Sequence, residues 1–463
     1  MSKYNLNDTI AAIATSIGES GIGIVRISGK DALAIADRIF LVKDKQKPSS
    51  FKTYTVHYGW IVEPGIKTEI IDEVILTIMR SPKSYTKEDV VEINCHGGIA
   101  VQNKVLELVL KEGARLAQPG EFTLRAFLNG RIDLVQAEAV LDIIRAKTSA
   151  ALKLGLTQLQ GKLSAKINRL RQDLLEVAAL LEANIEFPDE ELGKIDTKQL
   201  FNRLSGVRSK LKEILSSARQ ARIIRDGLHV VICGKPNVGK SSLLNALLKY
   251  ERSIVTPVAG TTRDTVEETM DIKGIPVRIV DTAGIIEPTD IIGKKAISRS
   301  KRHIKEADLI LLVFDGSRRL GKEDTLLIKR LKTKTVIAVI NKIDLPQKIE
   351  IDKIKHFFRQ VVMLSAKKSQ NIESLEEAIA RLVYAGELEV CGSVIMGNLR
   401  HIEMMRQAEK FIASACDSLD NMFSPEFVAE DIKVALLSLD EITGRRFNED
   451  LLERIFSDFC VGK

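Results

Sequence analysis

The amino-acid sequence predicts a multidomain fold: an α+β N-terminal domain, an all-α helical domain, and an α/β P-loop domain with a mostly parallel sheet that is inserted into the helical one. Its length of 463 residues indicates about three domains at ~150 residues each. The hydrophobic period also changes along the chain, from short β-rich runs to a helical period, then to apolar strands alternating with helices, and back to a helical period.

Composition sets the class of protein. A hydrophobic fraction of 45% and a charged fraction of 28% are typical of a globular chain with a real core. The net charge of +7 is compatible with RNA binding without requiring it. The N-terminus is a poor signal peptide, and no run approaches the ~18 apolar residues of a membrane span. We therefore expect a cytoplasmic protein with no membrane association.

The cysteines support the same location. Five of them are dispersed along the chain without a C-x-x-C pair, which argues against a zinc site and indicates a reducing compartment. They are Cys95, Cys233, Cys391, Cys416 and Cys460.

The N-terminal region, up to about residue 120, has the pattern of an α+β domain. The runs "GIGIVRISG", "EVILTIMR" and "VVEINCHGG" are typical of strands, and "IAVQNKVLELVLKEG" predicts a helix. The G-x-G in "GESGIGIVRISG" precedes an apolar strand, so it is not a dinucleotide fingerprint. Two side chains in this region, Arg26 and His96, each have two possible roles. Arg26 is a surface charge or a ligand contact, and His96 is a helix cap or a catalytic group.

The middle and the end of the chain predict helices. Between Glu121 and Phe187 there is no proline. Apolar residues recur there at helical spacing, namely Leu163, Ile167, Leu170, Leu174, Val177 and Leu181. Near the end, Ser424 is placed to cap a helix whose first turn holds Pro425. The predicted domains are 1–121, a discontinuous helical domain of 122–222 and 386–463, and an inserted domain of 223–385.

The inserted domain carries a phosphate-binding motif. "GKPNVGKSS", from Gly234 to Ser242, matches G-x-x-x-x-G-K-[ST] between a strand and a helix. Its glycines allow backbone N–H groups to face phosphates, Lys240 can reach the β- and γ-phosphates, and the Ser241 hydroxyl can ligate Mg²⁺.

Four further motifs follow in the order that guanine-nucleotide binding requires: "GTTRD" (260–264), "DTAG" (281–284), "NKID" (341–344) and "SAK" (365–367). Thr262 suits Mg²⁺ and the γ-phosphate, and Asp344 can accept both guanine N1–H and N2–H. Together they predict a GTPase. The predicted GTP-binding residues are Asn237, Val238, Gly239, Lys240, Ser241, Ser242, Thr256, Thr261, Thr262, Asp281, Thr282, Ala283, Gly284, Asn341, Lys342, Asp344, Ser365, Ala366 and Lys367.

The hydrolytic step needs another explanation. Ile285 follows "DTAG", at the position where Ras-type enzymes carry a water-orienting glutamine. No arginine finger, worth about 10³–10⁵ in rate, is evident in the sequence. Another cation must therefore act, and Asn237 in the P-loop is a candidate ligand for a monovalent one.

The most distinctive strings lie outside the inserted domain: "GIGIVRISG", "VVEINCHGG", "PGEFTLRAFLNGRIDLVQAEAV", "IEFPDEE" and the terminal "CVGK". Over almost the whole chain they resemble the MnmE (TrmE) family of tRNA uridine-modification GTPases. The resemblance implies a folate-binding, dimerising N-terminal domain, a helical domain, and inserted G domains that pair with K⁺ in the GTP state.

The resemblance also implies partners and a reaction. A homodimer joins the FAD-dependent flavoprotein MnmG in a heterotetramer, which adds a (carboxymethyl)aminomethyl group to C5 of the wobble uridine of certain tRNAs. The one-carbon unit is expected from 5,10-methylene- or 5-formyl-tetrahydrofolate. The implied folate contacts are Arg26, Glu92, Arg131 and Lys463. The implied metal ligands are Ser241 and Thr262 for Mg²⁺, and Asn237, Thr256, Val258 (through its carbonyl) and Thr261 for K⁺.

Two positions depart from the family pattern. Arg131 stands where the family often has lysine, which keeps the charge and changes the donor geometry. The segment "DTAGIIEPTDIIGKKA" is about three residues short around the family's catalytic glutamate. Counting back from Gly293 gives Asp290, which we favour, and counting forward from "DTAG" gives Glu287.

Cys460, in the terminal "CVGK", has three interpretations: a packing residue, a lipid attachment site, or a group in the chemistry. The box ends in lysine and follows acidic and aromatic residues, which fits prenylation poorly. The resemblance implies a role in tRNA modification. The alternative function is a regulatory GTPase, either an assembly switch on ribosomal RNA or a prenylated membrane switch. Folate binding would discriminate between the modification enzyme and the regulatory GTPase.

Overall fold

The computed structural model describes residues 7–65, 69–186, 197–250, 267–281, 303–384 and 396–463. The chain forms two compact units, one of Met1–Leu141 with Leu436–Lys463 and one of Asp142–Ala435. The predicted helical domain contributes to both units. The domain boundaries given above stay a prediction.

Over the described residues, the strands form two sheets. Those of the first are β1 (Ile10–Ile13), β2 (Gly23–Ser28), β3 (Phe40–Leu41), β4 (Thr55–Glu63), β5 (Glu69–Met79), β6 (Val90–Cys95) and β7 (Arg115–Leu116). Those of the second are β8 (Leu228–Cys233), β9 (Glu267–Ile272), β10 (Ile275–Asp281), β11 (Leu309–Asp315), β12 (Val336–Asn341) and β13 (Gln360–Met363).

The helices follow the predicted patterns. They are α1 (Ala32–Ile39), α2 (Ile99–Lys111), α3 (Glu121–Leu128), α4 (Leu134–Arg145), α5 (Ser149–Leu159), α6 (Lys162–Glu186), α7 (Thr197–Ser216), α8 (Ala218–Asp226), α9 (Lys240–Tyr250), α10 (Lys322–Leu331), α11 (Ile351–Phe357), α12 (Ile372–Tyr384), α13 (Leu399–Asp420), α14 (Pro425–Thr443) and α15 (Glu449–Ser457). A short 3-10 turn spans Pro48–Ser50.

The first unit is built on a seven-stranded sheet in the order β3-β4-β5-β6-β2-β1-β7. Neighbouring strands are antiparallel, except that β7 runs parallel to β1. Alternate residues such as Val25 and Ile27 of β2 and Ile93 of β6 are buried in a core that α1 and α2 complete. The α+β prediction for this region is confirmed at the level of its elements.

The C-terminal segment belongs to this first unit. Leu452 and Phe456 of α15 and the following Phe459 share a core with α3 and α4. After α15 the chain runs beside the start of α3, where the amide of Gly120 donates to the Cys460 carbonyl at 3.3 Å. The helix α15, which lies in the predicted helical domain, therefore packs in the first unit and leads the end of the chain there.

One arginine of α3 organises the interior of this unit. Arg125 is 1% exposed and forms ion pairs with Asp8 at 2.5 Å, Glu121 at 3.1 Å and Glu88 at 3.2 Å. Arg115 shares Glu121 and Asp8, at 2.6 and 2.7 Å. A buried guanidinium is tolerated only when carboxylates surround it in this way.

The second unit contains the predicted helices and the second sheet. The apolar stripe predicted from Leu163 to Leu181 is the buried face of α6. The α7 and α13 helices pack together, and Arg208 contacts Glu409 at 2.8 Å between them. In the chain, the second sheet lies between these two helices, as an insertion would.

The second sheet is mostly parallel, as predicted. Its order is β13-β12-β11-β8-β10-β9, and among these described strands only the pairing of β9 with β10 is antiparallel. The central strands are continuous apolar runs because both faces are buried. Their carboxyl ends meet at one edge, which is where the P-loop follows β8 and Asn341 ends β12.

Candidate functional site

The P-loop joins β8 to α9 with the turns that a phosphate cradle needs. Asn237 and Gly239 adopt left-handed φ angles of 60° and 96°. A Cβ at Gly239 would lie 2.3 Å from Nδ2 of Asn341, so only glycine fits there. The Lys240 ammonium donates to the carbonyl oxygens of Gly234 and Lys235, at 3.1 and 2.8 Å. Ser241 and Ser242 are exposed in the first turn of α9.

Asn341 joins three of the predicted motifs through one side-chain amide. Its Nδ2 donates to the carbonyl oxygen of Val238 in the P-loop at 2.9 Å. Its Oδ1 accepts from the amide of Ala366 in "SAK", also at 2.9 Å. Because Asn341 is 2% exposed, these hydrogen bonds are shielded from water and fix the two loops relative to each other.

The charged residues of "NKID" are held in the same way. The Lys342 ammonium donates to the Asn237 carbonyl at 2.8 Å and to the Asp315 carboxylate at 2.7 Å. Asp344 accepts from the Ser365 hydroxyl at 2.6 Å, and this hydrogen bond lowers the pKa of Asp344. Burial raises the pKa of Asp315, but hydrogen bonds from Lys342 and Ser317 outweigh it, so the pKa is lowered. Both carboxylates are therefore ionised at neutral pH.

The other half of the predicted nucleotide site lies outside the described residues. Asp281 ends β10, and nothing is described of its side chain. The following residues named in the sequence analysis are not described: Thr256, Val258, Thr261, Thr262, Thr282, Ala283, Gly284, Ile285, Glu287 and Asp290. Their roles stay predictions. The described half has the donors of a phosphate cradle and a carboxylate for a base.

A second cluster of predicted residues lies on the first sheet. Arg26 and Glu92 are direct partners in the register of β2 and β6, and Nε of Arg26 donates to Oε1 of Glu92 at 2.8 Å. Arg26 also donates to the carbonyl oxygen of Gly462 at 3.2 Å and lies over the Phe122 ring, 5.5 Å from its centroid. We call Arg26, Glu92, Phe122 and Gly462 the tail site.

Two more predicted residues belong to the same unit. The Arg131 guanidinium lies over the Tyr85 ring, 4.7 Å from its centroid. The Tyr85 hydroxyl is 2.9 Å from the Thr123 hydroxyl, and burial raises the Tyr85 pKa. Lys463 is partly exposed, and its amide is 3.4 Å from the Cys460 carbonyl. The structure thus brings Arg26, Glu92 and the chain terminus together.

Cys460 differs from the other described cysteines. It is exposed, whereas Cys95, Cys233 and Cys416 are buried. Burial raises the pKa of Cys95 and of Cys233 to about 11, and it raises the pKa of Cys416 as well. Cys391 lies outside the described residues. The packing interpretation of Cys460 is therefore disfavoured by its exposure.

His96 is not the cap of α2. The N-cap residue of that helix is Gly98, which makes no side-chain cap hydrogen bond. Instead, the His96 ring nitrogen Nδ1 lies 2.7 Å from Oδ1 of Asp72, and the His96 backbone N–H donates to Oδ2 at 2.8 Å. Arg26, the other residue with two interpretations, is not a free surface charge, since its side chain is 16% exposed and paired with Glu92.

Sequence reasoning missed several residues around these sites. Phe122 and Tyr85 supply the aromatic faces under Arg26 and Arg131, and Asp315 holds Lys342. Asp315 ends an apolar strand beside the P-loop strand, a position that could have marked it. The aromatic residues had no such signal, because their partners are distant in the chain.

Within the described ranges, no helix combines the length and the apolar character that crossing a membrane requires.

Comparisons with known proteins give the family. A model described as GTP-binding protein TrmE N-terminus matches residues 9–131, and one described as MnmE helical domain matches residues 134–460. The tRNA modification GTPase MnmE of Thermoanaerobacter pseudethanolicus is 46% identical over 98% of this chain and 99% of its own length. That of Bacillus licheniformis is 44% identical over 98% of this chain and 100% of its own.

A structure of Era from Aquifex aeolicus is 35% identical over 39% of this chain and 65% of that chain, with a TM-score of 0.29. The family assignment rests on the first two comparisons, which extend over almost the whole chain. From them we conclude that the chain belongs to the MnmE family of tRNA modification GTPases.

Proposed function

We propose that this GTPase is activated by K⁺ and works as a homodimer, joined in a heterotetramer with the FAD-dependent flavoprotein MnmG. Its product is a (carboxymethyl)aminomethyl group on C5 of the wobble uridine of certain tRNAs. The one-carbon unit comes from 5,10-methylene- or 5-formyl-tetrahydrofolate, and the reaction takes place in the cytoplasm. The observation that carries the nucleotide half is the Asn341 amide, which holds the P-loop and the base-binding loops together.

The described residues fit a guanine nucleotide. The space at Gly239 that a Cβ would fill, the Lys240 ammonium and the exposed Ser241 hydroxyl form one side of the pocket. Ser241 would hold Mg²⁺ together with Thr262, and the metal would neutralise phosphate charge. Asp344, ionised and oriented by Ser365, would accept both N–H groups of guanine.

Potassium dependence follows from Asn237, which would hold K⁺ with Thr256, Thr261 and the Val258 carbonyl. Asn237 has a left-handed φ of 60°, and its side chain is exposed. We expect GTP turnover to be fast in K⁺ and slow in Na⁺ at equal ionic strength, and to rise with protein concentration as G domains pair. Equal rates in the two salts would contradict this proposal.

The water-orienting residue can be identified by comparing two variants. Asp290→Ala and Glu287→Ala are to be measured for GTP binding and for turnover in K⁺. The variant that binds GTP normally and loses turnover identifies the residue, and we expect it to be Asp290→Ala. Loss of turnover in neither variant would contradict both assignments.

We propose the tail site as the folate site. Glu92 offers a carboxylate to the amino and ring N–H groups of a pteridine, and Arg26 fixes its position from the next strand. Calorimetry with 5-formyltetrahydrofolate should give a binding isotherm that Glu92→Gln weakens and that Glu107→Gln, a change on the exposed surface of α2, leaves intact. No heat from the wild-type protein would favour an assembly GTPase, which has no reason to bind folate.

Cys460 would act in the modification step. Its sulfur is exposed, and the same tail is bound to Arg26 through Gly462. A thiolate in this tail could add to C6 of the uridine, which activates C5. Cys460→Ser should hydrolyse GTP normally and leave wobble uridines unmodified, as measured by mass spectrometry, and no lipid should be found on the wild-type protein. The buried Cys416→Ser is the matched control. Normal modification by Cys460→Ser would remove Cys460 from the modification step.

A further inference from the structure

His96 and Asp72 form a hydrogen-bonded pair that the proposed function does not use. The Asp72 side chain is 9% exposed, while the imidazole it binds is 69% exposed. Both Asp72 oxygens are directed to His96, one at the backbone N–H and one at Nδ1. An aspartate that accepts from Nδ1–H orients the ring, and in the neutral imidazole this leaves Nε2 as the nitrogen that can accept a proton. The pair therefore presents an oriented, proton-accepting nitrogen to solvent.

The surroundings of His96 are fixed as firmly as the pair. Gln102, 1% exposed, donates through Nε2 to the Gly97 carbonyl at 3.0 Å and accepts through Oε1 from Thr15 at 3.3 Å. It thus ties the segment after β6 to the segment after β1. Ser20 lies so near Gly97 that a Cβ there would come within 2.1 Å of its hydroxyl oxygen. Functional side chains need supporting contacts of this kind to hold them in place.

The pair lies at the same end of the sheet as the chain terminus. Cys95, which precedes His96, pairs with Gly23 at the start of β2. The amide of Ala14, just past the end of β1, donates to the Ile24 carbonyl at 2.7 Å, which places it at that same end. Gly462 packs directly on Ala14, since a Cβ on Gly462 would lie 2.9 Å from the Ala14 Cα. The terminal residues lie at the end of β1, and His96 follows the end of β6, so both stand at the same end of the sheet with β2 between them.

We propose that His96 accepts the proton that leaves C5 of the uridine, and that Asp72 positions it. This inference rests on the proposed modification of C5, because replacing hydrogen by carbon there must release a proton. With the one-carbon unit bonded to C5 and the Cys460 sulfur to C6, the C5–H bond breaks and its proton passes to Nε2. Its electron pair forms the C5=C6 double bond, and the C6–S bond breaks with its pair returning to sulfur.

The experiment follows tritium release from tRNA labelled at uridine C5, with the full-length protein and its flavoprotein partner. His96→Asn is the informative variant, since the asparagine Nδ2 can replace Nδ1–H as a donor to Asp72 and Nε2 is lost. We expect the release rate to fall about 10²–10⁴-fold, the usual contribution of a general base. Added imidazole should restore part of it, with GTP turnover and folate binding unchanged. His356→Asn, on α11, is the matched control.

Two results would overturn the proton-transfer role. A His96→Asn protein that releases tritium at the wild-type rate would make His96 purely structural. So would a slow His96→Asn protein that binds folate normally and does not respond to imidazole. Failure of the wild-type complex to release tritium would instead overturn the proposed function, and the role of His96 with it. The Asp72→Asn protein should release tritium more slowly than wild type. Added imidazole should restore less of its rate than it does in His96→Asn, because the His96 ring still occupies the site.

Discussion

The nucleotide pocket and the tail site are built in opposite ways. In the pocket, the contacts join short contiguous motifs, and the single side chain of Asn341 reaches both Val238 and Ala366. In the tail site, Arg26 and Gly462 are 436 residues apart and share one hydrogen bond of 3.2 Å. The pocket is a property of one sheet edge, whereas the tail site exists only when the end of the chain is docked. Nucleotide binding should therefore be insensitive to substitutions outside the pocket motifs, whereas folate binding at the tail site should depend on the docking of the tail.

The largest effect should come from the base-binding carboxylate. Asp344→Asn replaces with an NH2 donor one of the two carboxylate oxygens that we propose to accept guanine N–H groups, and such a mismatch of polar groups gives discrimination of up to ~10⁴–10⁵. We expect GTP affinity to fall severely and xanthosine triphosphate to become the better ligand, with folate binding unchanged. Fluorescent nucleotide titration measures this, with Asp352→Asn on α11 as control. Unaltered GTP affinity would remove Asp344 from the pocket.

The next largest effect should come from Arg125, the buried arginine of α3. Arg125→Met leaves Asp8, Glu88 and Glu121 without their shared cation, and breaking a buried pair costs about 3–5 kcal/mol. Denaturant unfolding should show this loss in the free energy of unfolding of the first unit. Arg38→Met, at an exposed pair with Glu112, should cost at most about 1 kcal/mol. Similar losses in both variants would contradict the role of burial.

The same network predicts a pH dependence. Burial raises the pKa values of Asp8 and Glu121, but hydrogen bonds from Arg115 and Arg125 outweigh it, so both are lowered. A lowered folded-state pKa gives stability that is present above the unfolded values of about 4 and is lost as pH falls through the folded values. Unfolding measured between neutral pH and pH 3 should therefore show a loss that is smaller in Arg125→Met. An equal slope in the two proteins would count against the network.

The contrast between the sites also explains what the sequence could predict. Each of the five nucleotide motifs is contiguous, so the order and spacing of the motifs were enough to indicate Lys240, Asn341 and Asp344. The β2–β6 pairing of Arg26 with Glu92 is nonlocal, and only family resemblance suggested it. Arg125 stands in an apolar stretch of α3, and nothing local distinguishes a buried arginine from a solvated one. The burial and the partners of such residues depend on contacts between distant parts of the chain, and the hydrophobic periodicity of the sequence does not reveal these contacts.

A smaller effect should follow from displacing the tail. Gly462 has a φ of +94°, and a Cβ there would lie 2.3 Å from the Ile13 carbonyl oxygen. Gly462→Ala therefore combines backbone strain of about 1–2 kcal/mol with a clash, and we expect folate affinity to fall about tenfold. Gly113→Ala has a similar φ of +109° with open space around it and should leave folate affinity unchanged. Calorimetry measures the folate affinity of both variants. Equal folate affinities in Gly462→Ala and Gly113→Ala would mean that the tail does not contribute to folate binding.

The smallest effect should come from a glycine that belongs to neither site. Gly206 lies inside α7, exposed, with open space where a Cβ would be. Alanine there lowers the conformational entropy of the unfolded chain, so Gly206→Ala should stabilise the second unit by about 0.5–1 kcal/mol. Denaturant unfolding measures the gain, and GTP and folate affinities should not move. If Gly206→Ala weakened GTP binding, the nucleotide pocket would depend on α7. The conclusion that the pocket is insensitive to changes outside its motifs would then be wrong.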